Sequence, residues 1–255
     1  MKTLADFCEF LSSYAAAMLK SGGSTERCER TVRRIAHTLG YTTEMTILPR
    51  SVLLTLIGND GRDKLTVSKS IVGGAIDYNR VTRLSQLSWD VRDARVAQSE
   101  LWDRLQAIME TVRHPLYLVT LLTGLANASF CRLFEGDFVA MAIVFLATVC
   151  GFMLKNQLPR KGIKDIRILT LLAATCSSII ACLGYMTQAT ATPDVALGTS
   201  VLYLIPGIPY INSVSDLIYG HLLCCISRFI QACVLTACIG IGLSLGILLM
   251  NVQYF

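Results

Sequence analysis

Charge is scarce in this sequence, and only in one half. The 255 residues hold 23 Lys or Arg and 18 Asp or Glu, but residues 116–255 carry just 7 and 5 of them. No glycine-rich loop ends in Lys-Ser or Lys-Thr, so this chain does not itself use ATP. Gly73-Gly74 is too little for a nucleotide motif, and no nucleophile stands at a fixed spacing from a base. His37 and His114 are isolated, and Cys224-Cys225 lacks a third ligand at zinc spacing. Neither catalysis, a metal nor a cofactor is therefore expected. No basic, aromatic-rich patch argues for nucleic acid, and a net charge of +5 adds little. A signal peptide is not expected, because Asp6 and Glu9 interrupt the first apolar stretch. Disulfides are not expected either. Eight of the ten cysteines lie from Cys131 onward, where each is a small apolar residue, and Cys8 and Cys28 fall in a part that reads as cytoplasmic.

What the charge-poor half has is long apolar runs, each near the roughly 20 residues a spanning helix needs. Five spans can be drawn, at about 116–132, 137–155, 167–187, 195–213 and 222–250. The gap after the second holds Lys155, Arg160, Lys161, Lys164 and Arg167 against Asp165, which places it in the cytoplasm. The gap after the third, QATATPD, has no basic residue and belongs outside. The N-terminus is then cytoplasmic and the final NVQYF periplasmic.

Residues 1–114 carry most of the charge and read as a cytoplasmic α+β domain, with 115–255 as the transmembrane domain. Leu4, Phe7, Leu11, Tyr14 and Met18 mark an amphipathic helix over 4–20 that Gly22-Gly23 stops. Ser24 can cap a second helix with an apolar stripe of Cys28, Val32, Ile35 and Leu39, ending before Gly40. Its other face bears Arg27, Arg30, Arg33 and Arg34. That row fits an anionic ligand or lipid headgroups, or a solvated face paired with Glu26 and Glu29. Alternating segments at 42–48, 51–57 and 64–71 predict a small antiparallel sheet with a hairpin at Asp60-Gly61. Helices are expected near 83–96 and 98–113.

The segment LGTSVLYLIPGIPYINSVSDLIYGHLL, Leu197 to Leu223, is the most informative. It is apolar enough to span, yet Pro206, Gly207 and Pro209 interrupt it and Asn212, Ser213 and Asp216 follow. Freed backbone groups at membrane depth are tolerated only against protein or a watery cavity. Broken helices are where transporters hold substrates, so the segment implies transport. Asn212 and Asp216 share a helix face, and Arg228 lies early in the last span. An intramembrane arginine offers a planar fork for a carboxylate, or simply pairs with Asp216.

SVLYLIPGIPYINSVSDLIYGHL, followed by Arg228, resembles the threonine/serine exporter family. Supporting matches are RHPLYLVTLLTGLANASFCRLF and the helix-Gly-helix opening from Gly22-Gly23 to Gly40. The likeness runs over nearly the whole chain and is similar to the family's half-length subunits of bacterial inner-membrane succinate exporters. The family's long members carry a second, shorter membrane domain, so the resemblance implies a separate YjjB-like small membrane subunit and a hetero-oligomer. It implies export of a small carboxylate, succinate first, with threonine or serine as the alternative. Carried over as substrate-binding or gating positions are Pro206, Gly207, Pro209, Asn212, Ser213, Asp216 and Arg228. A rival reading is a non-transporting regulatory or scaffold subunit, against which the broken helix argues. Proton or membrane-potential coupling stays open, with Asp216 as the candidate proton carrier.

Overall fold

The computed structural model describes residues 3–58, 61–71, 73–74, 76–111 and 114–252. The chain divides into two compact units, one of residues 1–112 with 208–230 and the other of residues 113–207 with 231–255.

In the first unit, helix α1 (Leu4–Lys20) opens with a reciprocal cap. Thr3 Oγ1 accepts from the Asp6 amide at 3.2 Å, and the Asp6 carboxylate accepts from the Thr3 amide at 3.3 Å. Gly22 turns the chain with φ +93°, a conformation that favours glycine, and Ser24 caps α2 (Thr25–Thr38). Strands β1 (Thr42–Leu48), β2 (Ser51–Ile57) and β3 (Lys64–Ser70) pair antiparallel in that order, with Met45 opposite Leu54 and Leu54 opposite Val67. Val52, Leu54 and Leu56 alternate into the core with Phe10, Leu11, Tyr14 and Met18 of α1 and Val32 and Ile35 of α2. Each such side chain contributes about 1.5–3 kcal/mol of burial. The buried Tyr14 hydroxyl donates to the Leu84 carbonyl at 2.7 Å, and desolvation pushes its pKa up.

Of the hairpin turn expected at Asp60-Gly61, Asn59 and Asp60 lie outside the described residues. Gly61 has φ +70° and its amide reaches the Gly58 carbonyl.

The next two helices differ from expectation. Helix α3 (Tyr78–Arg92) starts earlier than 83 because the Asp77 carboxylate caps it, accepting from the Arg80 amide at 3.2 Å. It ends before 96 because Ala94 is left-handed, with φ 55°. Helix α4 (Leu101–Met109) is shorter than expected and is preceded by a 3₁₀ turn at Gln98–Glu100.

In the second unit, α5 (Leu116–Leu133), α6 (Phe138–Gln157) and α7 (Ile166–Met186) lie near their expected limits, and α8 (Pro193–Thr199) follows. Beyond it, α9 (Gly207–Ile218) and α10 (Leu222–Leu249) complete the chain, the last residues of α10 returning to this unit. Small side chains dominate its interior: Ala128, Ala140, Ala147, Ala173, Ala174 and Ala181 are all buried. A Cβ on Gly242 would come 2.7 Å from both the Leu171 carbonyl and the Ala174 methyl, so α10 and α7 meet backbone to backbone there. Asp137 ties two turns together. Its carboxylate accepts from the Ala140 amide at 2.6 Å, the Thr190 hydroxyl at 2.8 Å and the Ala191 amide at 2.7 Å. Those bonds, led by the one from Ala140, hold its pKa below the usual carboxylate range.

Among the described residues, four helical stretches are long and apolar enough to cross a bilayer: Leu116–Leu133, Phe138–Lys161, Ile166–Met186 and Leu222–Leu249. A fifth span depends on counting Pro193–Leu204 with Gly207–Ile218 as one broken crossing. The chain is a mostly helical, multi-pass membrane protein, and its described residues include a small three-stranded sheet.

Candidate functional site

The interruption of the apolar segment is built differently from what its prolines suggest. Helix α8 stops at Thr199, a 3₁₀ turn runs over Leu202–Leu204, and Ile205 adopts the extended conformation (ψ 126°) that a following proline imposes. Pro206 therefore makes the break. Pro209 does not break anything. It lies in the first turn of α9, where backbone N–H groups have no intrahelical partner to lose, so α9 begins at Gly207 rather than after Pro209.

Helix α9 is two-sided. Ile211, Val214, Leu217 and Ile218 are exposed, whereas Ser213 and Asp216 are buried and Asn212 is half-buried. The polar side packs within the first unit against the corner between α1 and α2. Asn212 Nδ2 donates to the carbonyl of Gly22 at 3.1 Å, and Ser213 Oγ donates back to Tyr210 within its own helix at 2.7 Å. Asp216 is 0% exposed, and both of its carboxylate oxygens are engaged. One accepts from the hydroxyl of Thr25, and the other accepts from Arg228 Nη1 at 2.8 Å. Thr25 is the first residue of α2, so the carboxylate also sits at a helix N-terminus, whose partial positive charge favours it. Arg228 is 23% exposed, so one side of the pair reaches solvent-accessible surface.

Of the seven expected positions, Asp216 and Arg228 are brought into contact, and Asn212 and Ser213 lie within a turn of Asp216. Pro209 shapes the start of the same helix. Pro206 and Gly207 belong to the other unit and shape the break itself. The surrounding residues were not expected. Glu29 of α2 meets His221 Nε2 at 3.6 Å, and Cys224 Sγ donates to the Ile47 carbonyl at 3.4 Å. The serine-capped start of α2 was a legible hint, because a helix N-terminus attracts a carboxylate.

Sequence reasoning also passed over a neutral polar seam in the second unit. Asn127 Nδ2 donates to Thr148 Oγ1 at 2.7 Å and to the Thr199 carbonyl at 3.1 Å. Ser177 Oγ donates to the Ala147 carbonyl at 3.0 Å and meets the Tyr203 hydroxyl at 3.0 Å. Asn127 and Tyr203 line a cavity of about 460 Å³ with Thr123, Phe130 and Leu202. These residues carry no charge, so each looks unremarkable alone; only a count of polar groups at matching depths in neighbouring spans would have found them. Among the described residues, no group of three His, Cys, Asp or Glu could hold a metal ion.

A multi-pass membrane protein with a proline-broken apolar segment and a buried Asp–Arg pair fits a transport family. Residues 9–250 match the family model described as "Putative threonine/serine exporter", and the chain belongs to that family. It is 27% identical to the "Probable succinate transporter subunit YjjP" of Escherichia coli (strain K12), over 90% of this chain and 90% of that protein. Identity is again 27% to the protein of the same description from Klebsiella aerogenes, over 91% of this chain and 90% of that one. The "Probable threonine/serine exporter" of Mycobacterium tuberculosis is 20% identical over 91% of this chain but only 44% of its own length. No solved structure matches the chain.

Proposed function

We propose that this protein is a subunit of a bacterial inner-membrane exporter of small carboxylates, succinate first, working with a smaller YjjB-like membrane subunit. The observation that carries the proposal is the Asp216–Arg228 pair next to the broken segment, in a chain similar over 90% of its length to relatives named as succinate transporter subunits. A closed pair stores a guanidinium whose planar fork suits a carboxylate. A proton delivered to Asp216 removes the counter-charge of Arg228, and a carboxylate of the substrate restores it. Asn212 and Ser213 offer polar atoms beside it. Pro206, Gly207 and Pro209 set where α9 begins and so where Asp216 lies.

The same reading places residues 1–114 in the cytoplasm, makes 115–255 the membrane domain and counts the broken pair as a fifth span. Asp137 supports one part of that topology, the paired crossings of α6 and α7. It joins the turn before α6 to the turn after α7, two turns separated by two crossings and hence on one side. The many exposed apolar side chains of α9 and α10, including Ile211, Ile218, Leu222 and Leu223, leave surface for lipid and for a neighbouring subunit.

Export of threonine or serine is the second reading, favoured by the family description and the mycobacterial relative. Asp216 could then take the ammonium group and Arg228 the carboxylate. Efflux of succinate, threonine and serine from cells lacking native exporters, with and without a co-expressed partner, tests both. Succinate efflux that needs both chains supports the proposal. Threonine or serine efflux without succinate efflux selects the second reading, and no efflux of any of the three removes both.

A further inference from the structure

The arginine row of α2 splits into two kinds of residue. Arg30 pairs with Glu26 at 3.2 Å and Arg33 with Glu29 at 2.5 Å, each one turn along the helix, as on a solvated face. Arg34 behaves otherwise. Its guanidinium lies 3.7 Å from the centroid of the Trp89 ring and donates to Ser88 Oγ at 2.7 Å. Arg92 sits 4.1 Å from the centroid of the same ring. Arg92 has Asp93 at 3.2 Å, but among the described residues no carboxylate lies within ion-pair distance of Arg34. Partial withdrawal from water, then the nearby charge of Arg30, holds the Arg34 pKa below the ordinary arginine range.

The four arginines and two glutamates named above line one cavity of about 580 Å³ with His37, and the Trp89 ring lies against Arg34 and Arg92. That volume is within the range of small-molecule sites. Four guanidinium groups and two glutamates face it, an excess of two positive charges before His37 is counted, one of which Asp93 offsets at Arg92. Both glutamates are already engaged, so they do not neutralise Arg34. Stacking on an indole fixes a guanidinium plane while leaving edge N–H groups to point into the cavity, a geometry suited to bidentate recognition of an oxyanion.

We infer that this cleft is a binding site for a small multivalent anion, carrying carboxylate or phosphate groups, held by Arg34 and Arg92 against Trp89. Glu29 lines the cleft and also meets His221, so the site shares a residue with the turn that opens α10. A soluble polycarboxylate or phosphate and the headgroup of an anionic phospholipid present the same chemistry. The inference concerns binding alone and stands whether or not the chain exports succinate.

The test uses the full-length protein carrying Trp102→Phe, which leaves Trp89 as the only one of the two tryptophans. One set of nanodiscs is made of phosphatidylcholine and a second includes phosphatidylglycerol. Citrate and inorganic phosphate are titrated at constant ionic strength, with Trp89 emission and titration calorimetry as readouts. A saturable response to either anion in the neutral discs identifies a soluble ligand. Trp89 emission that differs in the phosphatidylglycerol discs, and no longer responds to added anion, identifies a lipid headgroup. In either case Arg34→Gln should abolish the response or weaken it by about tenfold or more, since it removes the fork. Arg92→Gln gives the same reading should Arg34→Gln fail to fold. The inference is overturned if neither disc set gives a saturable or lipid-dependent response, or if the response survives both substitutions.

Discussion

Breaking the Asp216–Arg228 pair from one side should harm the protein more than removing it altogether. Asp216 is 0% exposed and Arg228 only 23%, so neither charge is well solvated. Truncating one member of a buried pair costs about 3–5 kcal/mol, because the other is left uncompensated. Two features place Arg228→Gln near the lower figure. The stranded Asp216 keeps its bond from Thr25 and its place at the N-terminus of α2, and the helix end offsets about 0.3–1 kcal/mol. Asp216→Asn leaves a cation that is partly wet, and should cost no more. Once the first change is made, the second removes a charge that was already unpaired. The double variant should therefore be more stable than either single one, which requires a coupling energy of about 3 kcal/mol or more. The assay is the apparent unfolding midpoint of purified wild type, both single variants and the double variant in the same mild detergent. If the losses of the two single variants simply add, to within about 0.5 kcal/mol, the pair is not an energetic unit and the reasoning fails.

Other consequences are as specific. Asp137 has a folded pKa below its unfolded value of about 3.9, so its contribution is present above that value and lost as pH falls through the folded one. Wild type should lose stability to Asp137→Asn at neutral pH, and the gap between their melting midpoints should close on acidification below about pH 4; Asp165, held down to about 2 by Arg167, is common to both proteins. A constant gap would refute the assignment. Gly242→Val should cost about 1–3 kcal/mol or prevent accumulation, because its Cβ would meet α7 at 2.7 Å. Gly240→Ala, with nothing within 4 Å, should be neutral by the same expression and melting measurements. A reporter active only in the cytoplasm should be silent when fused after Phe255 and active when fused in the Pro159–Lys164 loop; the reverse pattern would invert the orientation.

Much of the fold could be read from local pattern. The stripe from Phe7 to Met18, the Ser24 cap and the alternation through Val52, Leu54 and Leu56 are short-range signals, and those elements lie where periodicity puts them. The start of α3 was missed because Asp77 reads equally well as a loop residue until its carboxylate is seen on the Arg80 amide. Pro209 misled for a related reason. Proline breaks a helix interior but suits a first turn, and only the chain path tells which applies.

The candidate site was legible in its members and illegible in its setting. Asp216 and Arg228 are conspicuous as ionisable groups among apolar ones. Thr25, however, lies 191 residues from Asp216 and Gly22 lies 190 from Asn212, and no periodicity links such positions. The sequence therefore suggested a carboxylate site or an Asp216–Arg228 pair, with nothing to link either to α1 or α2. In the structure Asp216 meets Arg228, and Asn212 and Asp216 also bond to the helix corner of the charged N-terminal part. Chain-distant hydrogen bonds depend on tertiary packing, and a single sequence carries no record of them.

The account rests on Arg228 serving the substrate as well as Asp216. Arg228→Lys separates the two roles. A lysine can still meet Asp216 through a single bond like the one at 2.8 Å, but it lacks the planar fork for a carboxylate. The decisive measurement is efflux of labelled succinate from proteoliposomes holding this chain and a YjjB-like partner, for wild type and Arg228→Lys, beside their unfolding midpoints. The account predicts near-equal stability and efflux lower by about tenfold or more in the variant. Normal succinate efflux by Arg228→Lys, or full efflux from this chain without a partner, would contradict it.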